Sequence, residues 1–104
     1  MPVKYEVEIA RAAEIDIAAI WEYIANDSSE MATRFVLRLE EKINTLERSP
    51  LRCPSIPENN LLETSYRHLI VDDYRIIFRV ERSTVIVLRV LHGNRLLDFS
   101  SLGS

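Results

Sequence analysis

Two kinds of residue in this chain could do chemistry on an anion. The first is arginine: 11 of the 13 basic residues are Arg, and only Lys4 and Lys42 are Lys. Arginine's planar fork suits bidentate contacts with phosphate or carboxylate, including partly buried ones. Arg67, Arg75, Arg79 and Arg89 recur along the second half of the sequence among alternating apolar residues. The second kind is histidine, the side chain suited to moving protons near neutral pH. His92 sits at the end of an apolar run, immediately before Gly93, one of two glycines. A hydrogen-bonded residue at a strand end is the simpler account of it. His68 has no carboxylate near it in sequence, and Cys53, the single cysteine, has no local histidine to activate it as a nucleophile. One cysteine permits neither an internal disulfide framework nor a four-ligand zinc site. No phosphate-binding loop, GxGxxG, HExxH or GxSxG pattern occurs, so neither a cofactor nor a metal is expected.

These residues must be positioned by elements that the hydrophobic spacing predicts. Residues 3–9 alternate, with Val3, Tyr5, Val7 and Ile9 on one side of a half-buried strand. From about Ala12 the period lengthens. Ala13, Ile17, Ile20, Trp21 and Ile24 form one stripe of a helix, with Glu14, Asp16 and Glu22 toward water. Asp27-Ser28-Ser29-Glu30 reads as a restart capped by Asp27, with Glu30 as the capping-box acid. The second helix carries Ala32, Phe35, Leu39, Ile43 and Leu46, pairs Glu30 with Arg34 at i,i+4, and ends before Pro50. Residues 50–60, with Pro50, Pro54 and Pro57, form an ordered, irregular loop. Strands follow at 64–71, 74–81 and 84–91, joined by tight turns at Asp72-Asp73 and Arg82-Ser83.

The order is β-α-α-β-β-β, an α+β domain of 1–104 with a helical hairpin on one face of a four-stranded, mostly antiparallel sheet. On the third strand Tyr74, Ile76, Phe78 and Val80 should meet the helices. On the fourth, Ile86, Leu88 and Val90 form the expected core set, with Val85, Val87, Arg89 and Leu91 opposite. If the registers agree, Arg67, Arg75, Arg79 and Arg89 line the open face of the sheet. A solvated face paired with Asp72, Asp73 and Glu81 fits the same pattern. The aliphatic residues between the arginines favour a partner-binding surface.

Composition narrows the function classes. The chain has 104 residues, 47% hydrophobic and 28% charged, with 4 Pro and a net charge of −3. That is one globular domain, neither low-complexity nor built to grip nucleic acid by bulk charge. Residues 1–52 hold 7 basic and 10 acidic groups and residues 53–104 hold 6 of each, so the acidity belongs to the helical half. No apolar run spans a bilayer and the N-terminus lacks a signal peptide's apolar region, so no membrane association and a cytoplasmic location are expected.

The chain resembles the ParE/RelE toxins of bacterial type II toxin–antitoxin systems. The resemblance is carried by Ala13, Asp16, Ile17, Ile20, Tyr23 and Ile24, then Ala32, Phe35, Leu39, Ile43, Leu46 and Pro50. It continues through Tyr66-Arg67 and Tyr74-Arg75-Ile76-Ile77-Phe78, and ends on Val87-Leu88-Arg89-Val90-Leu91-His92-Gly93-Asn94-Arg95. It covers nearly the whole chain, and the Arg-Val-Leu-His ending is its most telling part. It implies the same β-α-α-β-β-β fold and a co-encoded antitoxin that wraps the toxin. The four arginines Arg67, Arg75, Arg79 and Arg89 are then the expected antitoxin contacts, with His92 and Arg95 toward the target.

The family divides by function. RelE-like members are ribosome-dependent mRNA endonucleases, whose chemistry needs a proton-transfer group and cationic stabilisation of a pentavalent phosphate. On that branch Arg67, Arg75 and His92 would be catalytic. This sequence departs from it: no tyrosine follows His92, and its acidic helices would repel ribosomal RNA. ParE-like members, the plasmid-stabilisation branch, poison DNA gyrase and have no established catalytic residues. Trp21 in the hairpin pattern and the Arg-Val-Leu-His-Gly-x-Arg ending look closer to this branch. The resemblance therefore implies a ParE-like gyrase inhibitor neutralised by an antitoxin. The alternatives are the RelE-like endonuclease and a non-toxic member that only binds its antitoxin.

Overall fold

A computed structural model describes residues 4–97; Val3, the expected first residue of the opening strand, lies outside them. The short strand β1 (Glu6–Ile9) leads directly into α1 (Arg11–Ala25), and α2 (Ser29–Asn44) runs back beside it. Helix α2 begins where Ser28, not Asp27, takes the cap. The Met31 N–H donates to Ser28 Oγ at 3.2 Å, while Glu30 pairs with Arg34 at 3.1 Å as its spacing predicts. Ser28 has the extended backbone that the capping position requires (φ −159°, ψ 114°). The helix then tightens into 3-10 turns at Thr45–Glu47 and Pro50–Arg52. The proline-rich segment contains a one-turn helix, α3 (Asn59–Leu62), which leaves through Glu63 in the left-handed region (φ 54°).

The strands β2 (Arg67–Val71), β3 (Tyr74–Glu81) and β4 (Thr84–His92) form the antiparallel meander. Both connecting turns place their first residue at positive φ: 52° at Asp72 and 57° at Arg82. The sheet order is β1-β4-β3-β2, with β1 parallel to β4. The expected β-α-α-β-β-β order holds.

The alternation expected along β4 does not. Ile77 pairs with Arg89 and Phe78 pairs with Val87, so Leu88 is an extra residue in a β-bulge. The bulge reverses the inside–outside phase across it. Val85, Val87 and Val90 therefore all join Ile76 and Phe78 in the core beneath the helices, whereas Ile86 and Leu88 do not. From the hairpin, Ala13, Ile20, Leu39, Ile43 and Leu46 fill the same core. Burying each of its large aliphatic or aromatic side chains contributes about 1.5–3 kcal/mol.

The second face of the sheet is not open. Ile77 and Leu91 on that face form a second cluster with Ile56 and Leu62 from the proline-rich segment and with Leu97, and Tyr66 packs against it. The main chain ties the segment down. Ile56 N–H donates to Tyr66 O at 3.0 Å and His68 N–H to Pro54 O at 3.1 Å. Asn59 Oδ1 accepts from Thr64 Oγ1 and from the Tyr66 N–H, while Asn59 Nδ2 donates to Tyr66 O.

Candidate functional site

A cleft of about 510 Å³ opens where the helical hairpin meets the end of the sheet. Tyr23 and Ile24 from the last turns of α1, Phe35 from α2, the turn residues Asp72 and Asp73, Tyr74 and His92 line it. Two sequence features build it. The β3–β4 register sets Tyr74 opposite His92, with the rings edge to face and their centroids 5.5 Å apart. Tyr74 in turn meets Phe35 at 5.5 Å. Burial, then the nearness of Tyr23 and Asp73, pushes the Tyr74 hydroxyl pKa up.

Gly93 closes the sheet end. Its N–H donates to the Asp73 carbonyl at 2.7 Å, and a Cβ there would lie 3.3 Å from that oxygen. The close approach, not a left-handed backbone, is what favours glycine. His92 is exposed, and its Nδ1 accepts the Asn94 N–H at 3.3 Å, which leaves Nε2 as the protonated nitrogen of the neutral ring. Arg95 is exposed nearby in sequence, and its carbonyl points back into the molecule.

The four arginines do not form an open face. Arg75 is buried (4% exposed) beneath the proline-rich segment. Its Nη1 donates to Glu58 Oε1 at 3.0 Å, and its Nη2 donates to Glu58 Oε2 and, at 2.7 Å, to the Arg95 carbonyl. Glu58 is 5% exposed and accepts the Leu97 N–H at 2.9 Å as well. The hydrogen bonds from Arg75 outweigh burial and hold the Glu58 carboxyl down at about 2. Arg75 Nε is buried without a hydrogen-bond partner among the described residues, and Arg75 Nη1 lies 3.5 Å from His68 Nδ1. Burial, then the Arg75 charge, lowers the His68 pKa.

Arg67 faces the helix side of the sheet, in register with Phe78, and donates to the carbonyls of Leu51 (3.2 Å) and Cys53 (2.5 Å). Arg89 grips Asp16 through Nε (2.6 Å) and Nη2 (2.7 Å), with both side chains 11% exposed. Asp16 therefore does not point to water. It lies beyond the end of β1, where it also accepts the Val90 N–H at 2.9 Å and so takes over the edge of β4 that β1 leaves uncovered. Arg79 is 40% exposed and, among the described residues, held only by Glu81, at 2.6 Å.

The sequence residues thus separate into two places. Arg75, with the Arg95 carbonyl, lies under the proline-rich segment, while His92 faces the helix side at the sheet end. Adjacent strand residues alternate sides, so the Tyr74–His92 and Arg75–Leu91 pairs put His92 and Arg75 on opposite faces. Cys53 is buried, which pushes its thiol pKa up. Sequence reasoning missed Glu58, Asp16 and the aromatic wall of the cleft. The signal for Glu58 was a lone acid in a loop that had to close over arginine-bearing strands. For Asp16 no local signal existed, because its partner lies 73 residues away.

The family model of the ParE toxin of type II toxin–antitoxin system, parDE, matches residues 7–97. Among solved structures, the chromosomal ParDE toxin–antitoxin system from P. aeruginosa aligns with a TM-score of 0.69 at 20% identity, covering 86% of this chain and 96% of that chain. The toxin–antitoxin complex RelBE2 from Mycobacterium tuberculosis aligns with a TM-score of 0.65 at 24% identity, covering 86% of this chain and 92% of that chain. At these identities the likeness to the two structures is one of fold. No curated protein matches the sequence. Among the described residues, no helix is long and apolar enough to cross a membrane.

Proposed function

The chain belongs to the ParE toxin family of type II toxin–antitoxin systems, and from that premise we propose that it is a binding-type poison of DNA gyrase, held silent by a cognate antitoxin. The observation that carries this choice over the ribonuclease alternative is the state of Arg75. A ribonuclease centre needs Arg67, Arg75 and His92 around one phosphate. Here Arg75 is already neutralised by Glu58 in a buried pair, Arg67 is spent on main-chain carbonyls, and His92 faces the other side of the sheet. Recruiting Arg75 to a phosphate would require breaking a buried ion pair, at a cost of about 3–5 kcal/mol.

In this reading Arg75 and Arg89 act as scaffold. Arg79, half-exposed with a carboxylate partner that can be exchanged, is the arginine available to an antitoxin's acidic residues. His92 and Arg95, exposed at the sheet end, face the target. An antitoxin as partner is supported by the family and by the two solved neighbours, both of which come from toxin–antitoxin systems.

The test is to induce the protein without its antitoxin in bacteria and to add it, purified, to gyrase. Filamentation with a DNA-damage response, and loss of supercoiling, are expected. Rapid translation arrest with mRNA cut only in the presence of ribosomes would replace this reading by the endonuclease. Unaffected cells at confirmed expression would leave an antitoxin binder without toxicity. His92→Ala separates the first two, since it abolishes cleavage by an acid–base enzyme and weakens a gyrase binder far less.

A further inference from the structure

We propose that the cleft at the sheet end receives an arginine side chain presented by an extended segment of a protein partner. The inference does not depend on which target the protein attacks. Three observations lead to it. First, the lining combines carboxylates with aromatic faces: Asp72 and Asp73 on one side, Tyr23, Phe35 and Tyr74 on the other. Aromatic faces attract cations through their quadrupole, and guanidinium groups both stack on rings and bridge carboxylates. No Lys or Arg is part of the lining.

Second, the protein already shows a guanidinium on one of these carboxylates. Arg38 reaches across from α2 to Asp72, with contacts of 3.4 Å from Nε and from Nη2, and both side chains remain half-exposed. Its grip engages both carboxylate oxygens, but at long distances. Asp73, the neighbouring carboxylate, has no side-chain hydrogen bond or ion pair among the described residues; its role in the fold is its carbonyl, which holds the Gly93 N–H. One carboxylate therefore holds a guanidinium loosely and the other is free to accept a second.

Third, the surface continues past the cleft. Phe35 is shared with an adjoining apolar groove lined by Met31, Arg34 and Arg38. Tyr23 stands 73% exposed and Met31 63% exposed on either side. A lone amino acid would leave this apolar surface uncovered, whereas a segment with an apolar residue beside its arginine would cover it. This argues for a peptide chain as the source of the cation.

The probe is the tripeptide acetyl-Leu-Arg-Leu-amide, titrated into the isolated protein while the backbone NMR signals of Asp73, Gly93 and Tyr23 are followed. Saturable shifts at these residues are expected. The citrulline analogue, equal in shape but uncharged, is expected to bind at least tenfold more weakly. Asp73→Asn, which keeps the carbonyl that holds Gly93, should weaken binding to a similar degree. Arg38→Ala, which frees Asp72, should tighten it severalfold, and Arg11→Ala, at the exposed far end of α1, should leave it unchanged. Equal binding of the citrulline peptide, or weaker binding to Arg38→Ala, would overturn the proposal. Equal affinity for acetyl-arginine-amide would overturn the peptide source, and displacement by a single-stranded oligonucleotide would reassign the rings to base stacking.

Discussion

Glu58→Gln tests whether one buried ion pair holds the proline-rich segment on the sheet. The substitution keeps the size of the side chain and its capacity to accept the Leu97 N–H, and removes the charge that faces Arg75. Two routes give its cost. The carboxyl falls from an ordinary value of 4.5 to about 2, chiefly through the Arg75 hydrogen bonds. At about 1.4 kcal/mol per unit, that corresponds to roughly 3 kcal/mol of stability at neutral pH. Independently, removing one partner of a buried pair costs about 3–5 kcal/mol, and both side chains here are only 5% exposed, so little solvent screening applies.

Urea unfolding, followed through Trp21, should therefore show a loss of about 3 kcal/mol, or roughly 12 °C in Tm for a domain of this size. The sign of the pH dependence follows from the lowered pKa. The contribution is complete above the unfolded value near 4.5 and disappears as pH falls toward about 2. The gap between wild type and Glu58→Gln should be constant near neutrality and narrow in acid. The double variant Glu58→Leu with Arg75→Met should recover part of the loss, because an apolar pair of similar volume replaces the ion pair at little cost, while the Leu97 N–H and the Arg95 carbonyl lose their partners. A Glu58→Gln loss below 1 kcal/mol, or a gap that does not narrow in acid, would refute the reasoning.

Other substitutions probe the remaining fixtures by the same unfolding assay. Asp16→Ala strips Arg89 of its carboxylate and the Val90 N–H of its acceptor, and should cost about 3 kcal/mol, with Asp16→Asn losing less because it retains the backbone bond. Ser28→Ala removes the cap of α2 and should cost about 1 kcal/mol, whereas Asp27→Ala should leave the urea midpoint unchanged. Arg82→Gly relieves a side chain held at φ 57° in the β3–β4 turn and should raise stability by about 0.5–1 kcal/mol.

What the sequence makes legible follows from the range of the forces involved. Residues 74–81 form a strand over that full span, because alternation and two turn dipeptides are local signals. The helical hairpin is equally local, and its one misplaced detail, Asp27 for Ser28, reflects two neighbouring capping types at a single junction. The bulge at Leu88 is invisible because a strand with apolar residues at 85–88 reads well in either phase. The arginines read as a surface for a related reason. Pattern reports which side of a strand a residue takes, not whether a distant loop folds over that side. Glu58 and Asp16 bond across 17 and 73 residues of sequence, and each turns an expected anion-binding arginine into a tether. The cleft was legible only at His92, since its walls come from three separated segments.

The β-bulge in β4 has a consequence for how the two ends of that strand are addressed. Because one supernumerary residue inverts the parity of everything after it, the strand reports to one layer in its first half on odd positions and to the same layer in its second half on even ones. His92 reaches the aromatic cleft only through that inversion. The same strand with Leu88 paired in regular alternation would look better formed by every local rule. Yet it would present the histidine to the side where Arg75 and Glu58 are sealed in. The irregularity thus works as a router: whether this one residue is bulged out or paired decides which of the molecule's two sides its terminal chemistry faces.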